Sequence, residues 1–193
     1  KYRSNYKLPI VVDGSKNIKP IFYNERKGSA QCKSSVMLAA LNTSGTTIIS
    51  ARKSRDHTEH MFKYLKVPIK ILSKKNYDLI KINGGKKIRS FNYKIPSDIS
   101  SSAFFIVLTT LTTNSKLKIK NVNINPSRVG IIKILNKMGV KIFLKNIKNY
   151  KGEKIADIYV KSTKLLKAIK CPPKLNAATI DEFLIIFLVA AKA

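Results

Sequence analysis

The chain has no tryptophan and few acidic residues, with 10 Asp+Glu against 38 Lys+Arg and a formal net charge of +28. Such an excess favours a nucleic acid or another anionic partner. Only six of the basic residues are arginine, however, and the lysines are spread along the whole chain. Arginine is the residue suited to bidentate phosphate and base contacts, and no aromatic-plus-basic motif of the RNA-stacking kind is found. General lysine enrichment therefore explains the charge better, and a basic RNA- or anion-binding protein is kept as an alternative.

Cysteine is also scarce. Cys32 and Cys171 stand alone, without a CxxC pair or neighbouring histidines, so neither a metal site nor a disulfide framework is indicated. A reducing compartment follows, and we expect the cytoplasm.

No uninterrupted apolar run approaches the roughly 18 residues that would indicate a membrane span. The chain starts without Met or a signal peptide and stops inside a helical pattern at 188–193, so we expect both ends to be cuts in a longer protein.

The most informative stretch is 28–41, where small and polar residues run directly into an apolar helix. Ser29 is a good N-cap, because its hydroxyl can accept a hydrogen bond from a free N–H group of the first turn. The helix dipole and the free N–H groups favour phosphate or carboxylate at this end, and Lys33 lies about one turn in. A capped, buried helix without a ligand is the alternative on this stretch alone.

Strands and helices alternate along the chain in a repeated order. Before residue 94 the pattern predicts strands at Leu8–Val12, Ile18–Tyr23, Thr46–Ser50, Val67–Leu72 and Tyr77–Ile82, with helices at about Ser29–Leu41 and from a cap at Ser54 or Asp56 to Leu65. After residue 94 it predicts a helix at Ala103–Leu111 capped by Ser100–Ser102, a strand at Lys116–Lys120 and a helix from Asn125 to Gly139.

An internal repeat is present in this order. When Arg55 is aligned on Arg128, 73 residues later, apolar positions of the following helix and strand coincide, and a third copy starts at Ile180 and continues into the helix Phe183–Ala191. The repeat predicts an α/β (α+β) fold of β-α-β-β-α-β units, each covering a face of its neighbour. We expect two domain parts: residues 1–94, the C-terminal part of a first repeat domain, and residues 95–193, the N-terminal part of a second.

Five short motifs, in order, resemble the enolpyruvyl transferases, and more closely the branch of that family that acts on 3-phosphoshikimate. They are Ser29-Ala30-Gln31-Cys32-Lys33, Arg55-Asp56-His57-Thr58-Glu59, Pro96-Ser97-Asp98-Ile99-Ser100-Ser101, Asn125-Pro126-Ser127-Arg128 and Ile180-Asp181-Glu182. The branch acting on UDP-N-acetylglucosamine is the nearest rival, and the first two motifs favour the shikimate branch. The resemblance implies a fold in which two domains of repeated units close over the substrates.

The resemblance also implies the site. Ser29 and Ala30 would hold the phosphate of 3-phosphoshikimate, Gln31 would contact both 3-phosphoshikimate and phosphoenolpyruvate, and Arg55 would lie near the phosphate. Asp181 would bind ring hydroxyls and accept a proton. The implied reaction transfers the enolpyruvyl group of phosphoenolpyruvate to the 5-hydroxyl of 3-phosphoshikimate and releases phosphate, without a metal or organic cofactor. The implied partners are these two small molecules, with no nucleic acid or membrane and a monomeric complete enzyme.

Several of these residues have simpler interpretations. Asp181 could be an acidic residue at a helix start. His57 is better explained by a helix cap and a hydrogen-bond network than by catalysis, Lys33 either supports the site or is solvated, and Arg128 is the structural repeat partner of Arg55.

The chain departs from the family pattern at Ser97, Ser127 and Leu184, and none of these positions carries a proposed site group. The family's N-terminal lysine, its glycine loop and its later Lys, Glu and Arg residues lie outside the chain. We therefore expect these 193 residues alone to be inactive.

Overall fold

A computed structural model describes Val11 and residues 13–193. In chain order its elements are β1 (Phe22–Glu25), α1 (Ala30–Ala40), β2 (Thr46–Arg52), α2 (His57–Tyr64), β3 (Ile69–Ser73), β4 (Tyr77–Asn83), α3 (Ile99–Leu111), β5 (Lys116–Asn123), α4 (Gly130–Lys137), β6 (Lys141–Tyr150), β7 (Glu153–Lys161), the 3-10 helices Pro173–Ala178 and Ile180–Glu182, and α5 (Phe183–Ala190). The strand predicted at Leu8–Val12 falls outside the described residues except for Val11, which is in no strand.

Two sheets share one topology. The first has the order β1-β2-β4-β3, with β1 parallel to β2 and β4 antiparallel to both β2 and β3. The second has the order β5-β7-β6, with β7 antiparallel to both neighbours, as β4 is. Ser97 pairs in parallel with Val122 of β5, and so takes the place that β1 has beside β2. The mixed α/β fold of repeated units is confirmed.

The order of elements within a unit is β-α-β-α-β-β, which corrects the predicted β-α-β-β-α-β. The reason is the direction of the strands. The parallel pair β1 and β2 needs a crossover, which α1 supplies, and β2 and β3 also run parallel on either side of β4, so α2 must connect them. Only β3 and β4 follow one another as a hairpin.

The 73-residue repeat is confirmed in the ends of α2 and α4. The N–H of Val67 donates to the carbonyl of Phe62 at 2.9 Å, and the N–H of Val140 donates to that of Leu135 at 3.0 Å. The residue before each valine has a left-handed backbone, with φ of 55° at Lys66 and 92° at Gly139. Both helices therefore end in the same Schellman-type turn.

Each sheet packs its helices around its own hydrophobic core. The first core includes Met37, Ile49, Phe62, Ile80 and Ile82. The second includes Ile106, Ile131, Leu135, Ile158 and Val189. The predicted boundary between residues 94 and 95 lies in the connection between β4 and α3, and the division into domains stays a prediction.

Three predicted element starts are wrong: that of α4, which begins at Gly130 instead of Asn125, and those of α3 and β1. Helix α3 begins at Ile99, and its N-cap is Asp98, whose carboxylate accepts a hydrogen bond from the Ser101 N–H at 2.8 Å; the serines predicted as caps lie in its first turn. Strand β1 covers Phe22–Glu25 instead of Ile18–Tyr23, because these are the residues that pair with β2. Strand β7, the centre of the second sheet, was not predicted at all.

Candidate functional site

The start of α1 is held by two sets of hydrogen bonds. The Ser29 hydroxyl accepts from the Cys32 N–H at 3.2 Å, so the predicted N-cap is confirmed. Ahead of it, the buried Glu25 carboxylate accepts from the N–H groups of Lys27 at 2.8 Å and Gly28 at 2.7 Å. Burial raises the pKa of Glu25, but backbone hydrogen bonds and the charge of Lys33 outweigh it, so the net pKa lies below its ordinary value. The loop before the helix is therefore fixed by an ionised carboxylate.

Lys33 joins the start of α1 to the loop that carries Arg55. Its side chain is 1% exposed, and its Nζ lies 2.6 Å from Oε1 of Glu59 on α2. The same Nζ donates to the backbone carbonyl of Arg55 at 2.8 Å. Lys33 is therefore not solvated; it supports the loop between β2 and α2.

A cavity of about 480 Å³ opens beside these two elements. Its wall contains Ser29, Ala30, Gln31 and Arg55, so the structure brings these four predicted residues together. The cavity is also lined by residues to which the sequence assigned no substrate contact: Lys27, Gly28, Arg52, Lys53, Ser54, Ala177 and Ile180. Within the described residues, the buried Ser54 hydroxyl has no hydrogen-bond partner.

Asp181, from the second half of the chain, contacts Arg55 in the wall of this cavity. Its Oδ2 lies 2.6 Å from Nη2 of Arg55, and it sits in the 3-10 turn Ile180–Glu182. That turn lies against the first residue of α4, Gly130, where a Cβ would stand only 1.9 Å from the Thr179 hydroxyl and 2.6 Å from the Ala178 carbonyl. The absence of a side chain at Gly130 lets the turn approach α4 and so places Asp181.

Arg128 was predicted only as the repeat partner of Arg55, and its role near the site was missed. Its Nη2 donates to the Ser100 hydroxyl at 2.6 Å and to Oδ1 of Asp98 at 3.0 Å, and lies 4.0 Å from Oδ2 of Asp181. The repeat offered the signal, because it places the two arginines at equivalent positions.

Glu182 completes this network. It is 2% exposed, and the Ser100 hydroxyl donates to its carboxylate. Burial raises the pKa of Glu182 and the charges of Asp181 and Asp98 add to this, while Ser100 and Arg128 act in the opposite direction, so the net pKa is raised.

A second polar cluster joins the two halves on the other side of α2. His57 Nδ1 lies 2.6 Å from Oε1 of Glu153, and the Asn125 amide donates to Asp56 at 2.7 Å. Asp56 makes no side-chain capping bond to α2 and contacts His60 at 3.2 Å. Burial raises the pKa of Glu153. The hydrogen bond with His57 and the charge of His57 lower this pKa by more, so the net pKa of Glu153 lies below its ordinary value. The hydrogen-bond network predicted for His57 is confirmed.

Over residue 11 and residues 13–193, no three His, Cys, Asp or Glu side chains are grouped to bind a metal ion. Cys32 and Cys171 are free thiols. Within the same residues, no helix combines the length and the apolar character that crossing a membrane requires.

The repeated β-α-β-α-β-β arrangement is that of the enolpyruvyl transferase fold. The enolpyruvyl transferase NikO of Streptomyces tendae shares this fold at 14% identity, with a TM-score of 0.57 over 80% of this chain and 37% of that one.

The family model of EPSP synthase (3-phosphoshikimate 1-carboxyvinyltransferase) matches residues 1–193, and the chain belongs to that family. It is 41% identical to the 3-phosphoshikimate 1-carboxyvinyltransferase of Hydrogenovibrio crunogenus over 97% of this chain and 42% of the relative, and 39% identical to that of Petrotoga mobilis over 96% and 42%. EPSP synthase from Acinetobacter baumannii superposes with a TM-score of 0.85 at 36% identity, covering 100% of this chain and 43% of that one. The chain spans less than half the length of these relatives.

Proposed function

We propose that the full-length protein that carries these residues transfers the enolpyruvyl group of phosphoenolpyruvate to the 5-hydroxyl of 3-phosphoshikimate. The 5-hydroxyl oxygen bonds to C2 of phosphoenolpyruvate while C3 gains a proton, and the tetrahedral intermediate then loses phosphate and a C3 proton. The observation that carries the proposal is that the α1 start and Arg55 line one cavity and that Arg55 also contacts Asp181 from the second half of the chain. Family membership supports the same reaction.

The α1 start and Arg55 suit a phosphate group. Ser29 and Ala30 at the start of α1 line the cavity, and the dipole of a helix favours an anion at this end. Arg55 offers a planar fork that matches phosphate oxygens. We assign these groups to the phosphate of 3-phosphoshikimate.

Gln31 and Asp181 are assigned to the reacting end. Gln31 lies in the same wall and has an amide that can contact both substrates. Asp181 lies beside Arg55 at 2.6 Å, where a carboxylate can bind ring hydroxyls and accept the 5-hydroxyl proton. We further propose that the domain boundary lies at residues 94/95, that the full-length protein is a cytoplasmic monomer, and that its partners are these small molecules.

Calorimetry and steady-state kinetics on the full-length protein test the proposal. We expect phosphate release only when both substrates are present, and much tighter binding of 3-phosphoshikimate than of shikimate, which lacks the phosphate. Arg55→Gln should weaken 3-phosphoshikimate binding by about 10- to 100-fold, in line with loss of a charge-assisted contact. The matched control is Arg89→Gln, which removes an exposed arginine outside the cavity and should leave binding unchanged.

Absence of turnover, together with tight RNA binding that weakens steeply as salt is raised, would instead favour the basic RNA-binding alternative. The 193 residues alone should give no turnover, since they cover 42% of a relative's length.

A further inference from the structure

Two arginines from equivalent positions of the repeat point at one carboxylate. Arg55 Nη2 is 2.6 Å from Oδ2 of Asp181, and Arg128 Nη2 is 4.0 Å from the same oxygen. The two arginines come from separate segments, Arg55 before α2 and Arg128 before α4, and Glu182 follows Asp181 in the same turn. Asp181 therefore lies within 4.0 Å of a cation from each half of the chain.

The two arginines are held very differently. Arg128 is 16% exposed and is fixed by Asp98 and Ser100. Asp98 is itself fixed, because its other oxygen caps α3 through the Ser101 N–H at 2.8 Å. The Arg55 guanidinium is 27% exposed and has Asp181 as its side-chain partner among the described residues. Arg55 is therefore held by fewer side-chain contacts than Arg128 and is the freer of the two to turn toward a ligand.

A phosphate dianion in the cavity competes with Asp181 for Arg55, since both offer oxygens to one guanidinium. When Arg55 turns to the phosphate, Asp181 loses its 2.6 Å partner. The cation left beside it is Arg128, already at a distance where opposite charges attract strongly in a partly buried site.

We propose that Arg128 is a positioning residue, which holds Asp181 in the cleft once the substrate phosphate has taken Arg55. This inference rests on the proposed function. Arg128 makes no contact with substrate in this proposal and acts through Asp181. The Ser100 hydroxyl connects Arg128 to Glu182, the neighbour of Asp181.

The test compares Arg128→Gln and Arg128→Lys with Arg89→Gln in the full-length protein, by steady-state kinetics with 3-phosphoshikimate and phosphoenolpyruvate. Arg128→Gln should lower kcat by about 10-fold or more, because small displacements of a reacting group are costly, and should change KM for 3-phosphoshikimate by less than about 3-fold. Arg128→Lys keeps the charge and should restore most of kcat. Arg55→Gln should show the opposite pattern: a large increase in KM for 3-phosphoshikimate and a smaller effect on kcat.

Ser100→Ala provides a milder variant in case Arg128→Gln does not fold. It removes one contact of Arg128 and should lower kcat by about 3-fold with KM unchanged. The inference is overturned if folded Arg128→Gln keeps kcat within 2-fold of the wild type, if its KM rises as in Arg55→Gln, if Arg128→Lys is as slow as Arg128→Gln, or if Ser100→Ala has no effect on kcat. A wild-type protein without turnover would instead overturn the proposed function itself.

Discussion

Lys33 and Glu59 form an ion pair in the interior, with side chains only 1% and 5% exposed. The free energy lost when two charges leave water offsets much of the free energy gained from their attraction. Such a pair is therefore better explained by the geometry that it fixes than by a net gain in stability. Here the geometry is that of the Arg55 loop, since Lys33 Nζ also binds the Arg55 carbonyl. The pair explains why a lysine in the first motif and a glutamate in the second occur together.

Lys33→Met should lower the free energy of unfolding of the chain by about 3–5 kcal/mol, because Glu59 is left buried without a partner. Urea denaturation followed by circular dichroism measures the change. Lys27→Met, at an exposed position, is the control and should have little effect. The double variant Lys33→Met/Glu59→Leu should recover much of the loss; a double variant as unstable as Lys33→Met would contradict this account.

At the scale of single elements, the pairing of the central strand β7 with each neighbouring strand contains a shift of register. One residue of β7, Asp157, contacts the shifted segment of both neighbours. The pairing with β5 shifts between Ile119 and Val122, and the pairing with β6 shifts between Lys145 and Lys148. Each shifted segment contains an asparagine with a left-handed backbone, Asn121 in β5 and Asn146 in β6. The Asp157 carboxylate accepts from the Asn121 N–H and from the Asn146 amide, both at 3.0 Å. One carboxylate therefore fixes the bulges on both sides of the strand.

The Asp157 carboxylate should make the chain sensitive to acid. The backbone hydrogen bond from Asn121, helped by Asn146 and Lys118, lowers the pKa of Asp157 to about 2. Since the folded pKa is below the unfolded value of about 3.9, this contribution to stability is present above pH 4 and is lost as the pH falls from about 4 to 2.

Denaturation midpoints measured between pH 2 and 7 test this. Asp157→Asn should reduce stability at pH 7 and flatten the decline below pH 4. Asp13→Asn, at an exposed position, is the control. An acid decline as steep in Asp157→Asn as in the wild type would show that other carboxylates cause it.

The junction of α4 with the turn that carries Asp181 depends on Gly130. Gly130→Ala places a methyl group against the Thr179 hydroxyl and the backbone of Ala178, so we expect a loss of about 3 kcal/mol, at the upper end for overpacking. Binding of 3-phosphoshikimate should weaken with it because Asp181 is displaced. Gly14→Ala, which meets nothing within 4 Å, is the control for both urea denaturation and calorimetry. Equal stability of the two variants would mean that the turn can move without cost.

At the scale of the whole molecule, α3 and α5 present an apolar surface to solvent. Phe104, Phe105 and Leu108 of α3 are 60–62% exposed, and Leu184, Phe187 and Leu188 of α5 are 55–81% exposed. The two helices also pack on each other through their buried residues. Large exposed apolar surfaces are typical of interfaces and of association between copies.

We therefore expect the isolated 193-residue chain to associate as its concentration rises. Sedimentation velocity should show a shift to larger species that Phe105→Ser/Leu188→Ser abolishes. Phe143→Ser, a change to an exposed phenylalanine on β6, should leave the association intact. Concentration-independent sedimentation of the wild-type chain would contradict this prediction.

The sequence predicted what is encoded locally. The cap at Ser29, the similar ends of α2 and α4, and the helix at Phe183 all depend on neighbouring residues. The four cavity residues and Asp181 were found by resemblance, and the structure places them together. The contacts of Arg128 depend on residues distant in the chain, so no local pattern predicted them. Strand β7 had a local signal that was overlooked, because its apolar and β-branched run follows β6 directly across the turn at Lys151 and Gly152. The site assignments themselves stay predictions.

The Arg55–Asp181 pair makes Asp181 an internal competitor for the position that we assign to the substrate phosphate. Any anion that binds at Arg55 must first displace a carboxylate that belongs to the protein. Weakly binding anions such as sulfate or inorganic phosphate therefore compete with a tethered group that is always present. Asp181→Asn should bind inorganic phosphate more tightly than the wild type, as measured by calorimetry, even though it should lose turnover. The residue proposed to accept the proton would then also protect the empty cleft from the wrong anion.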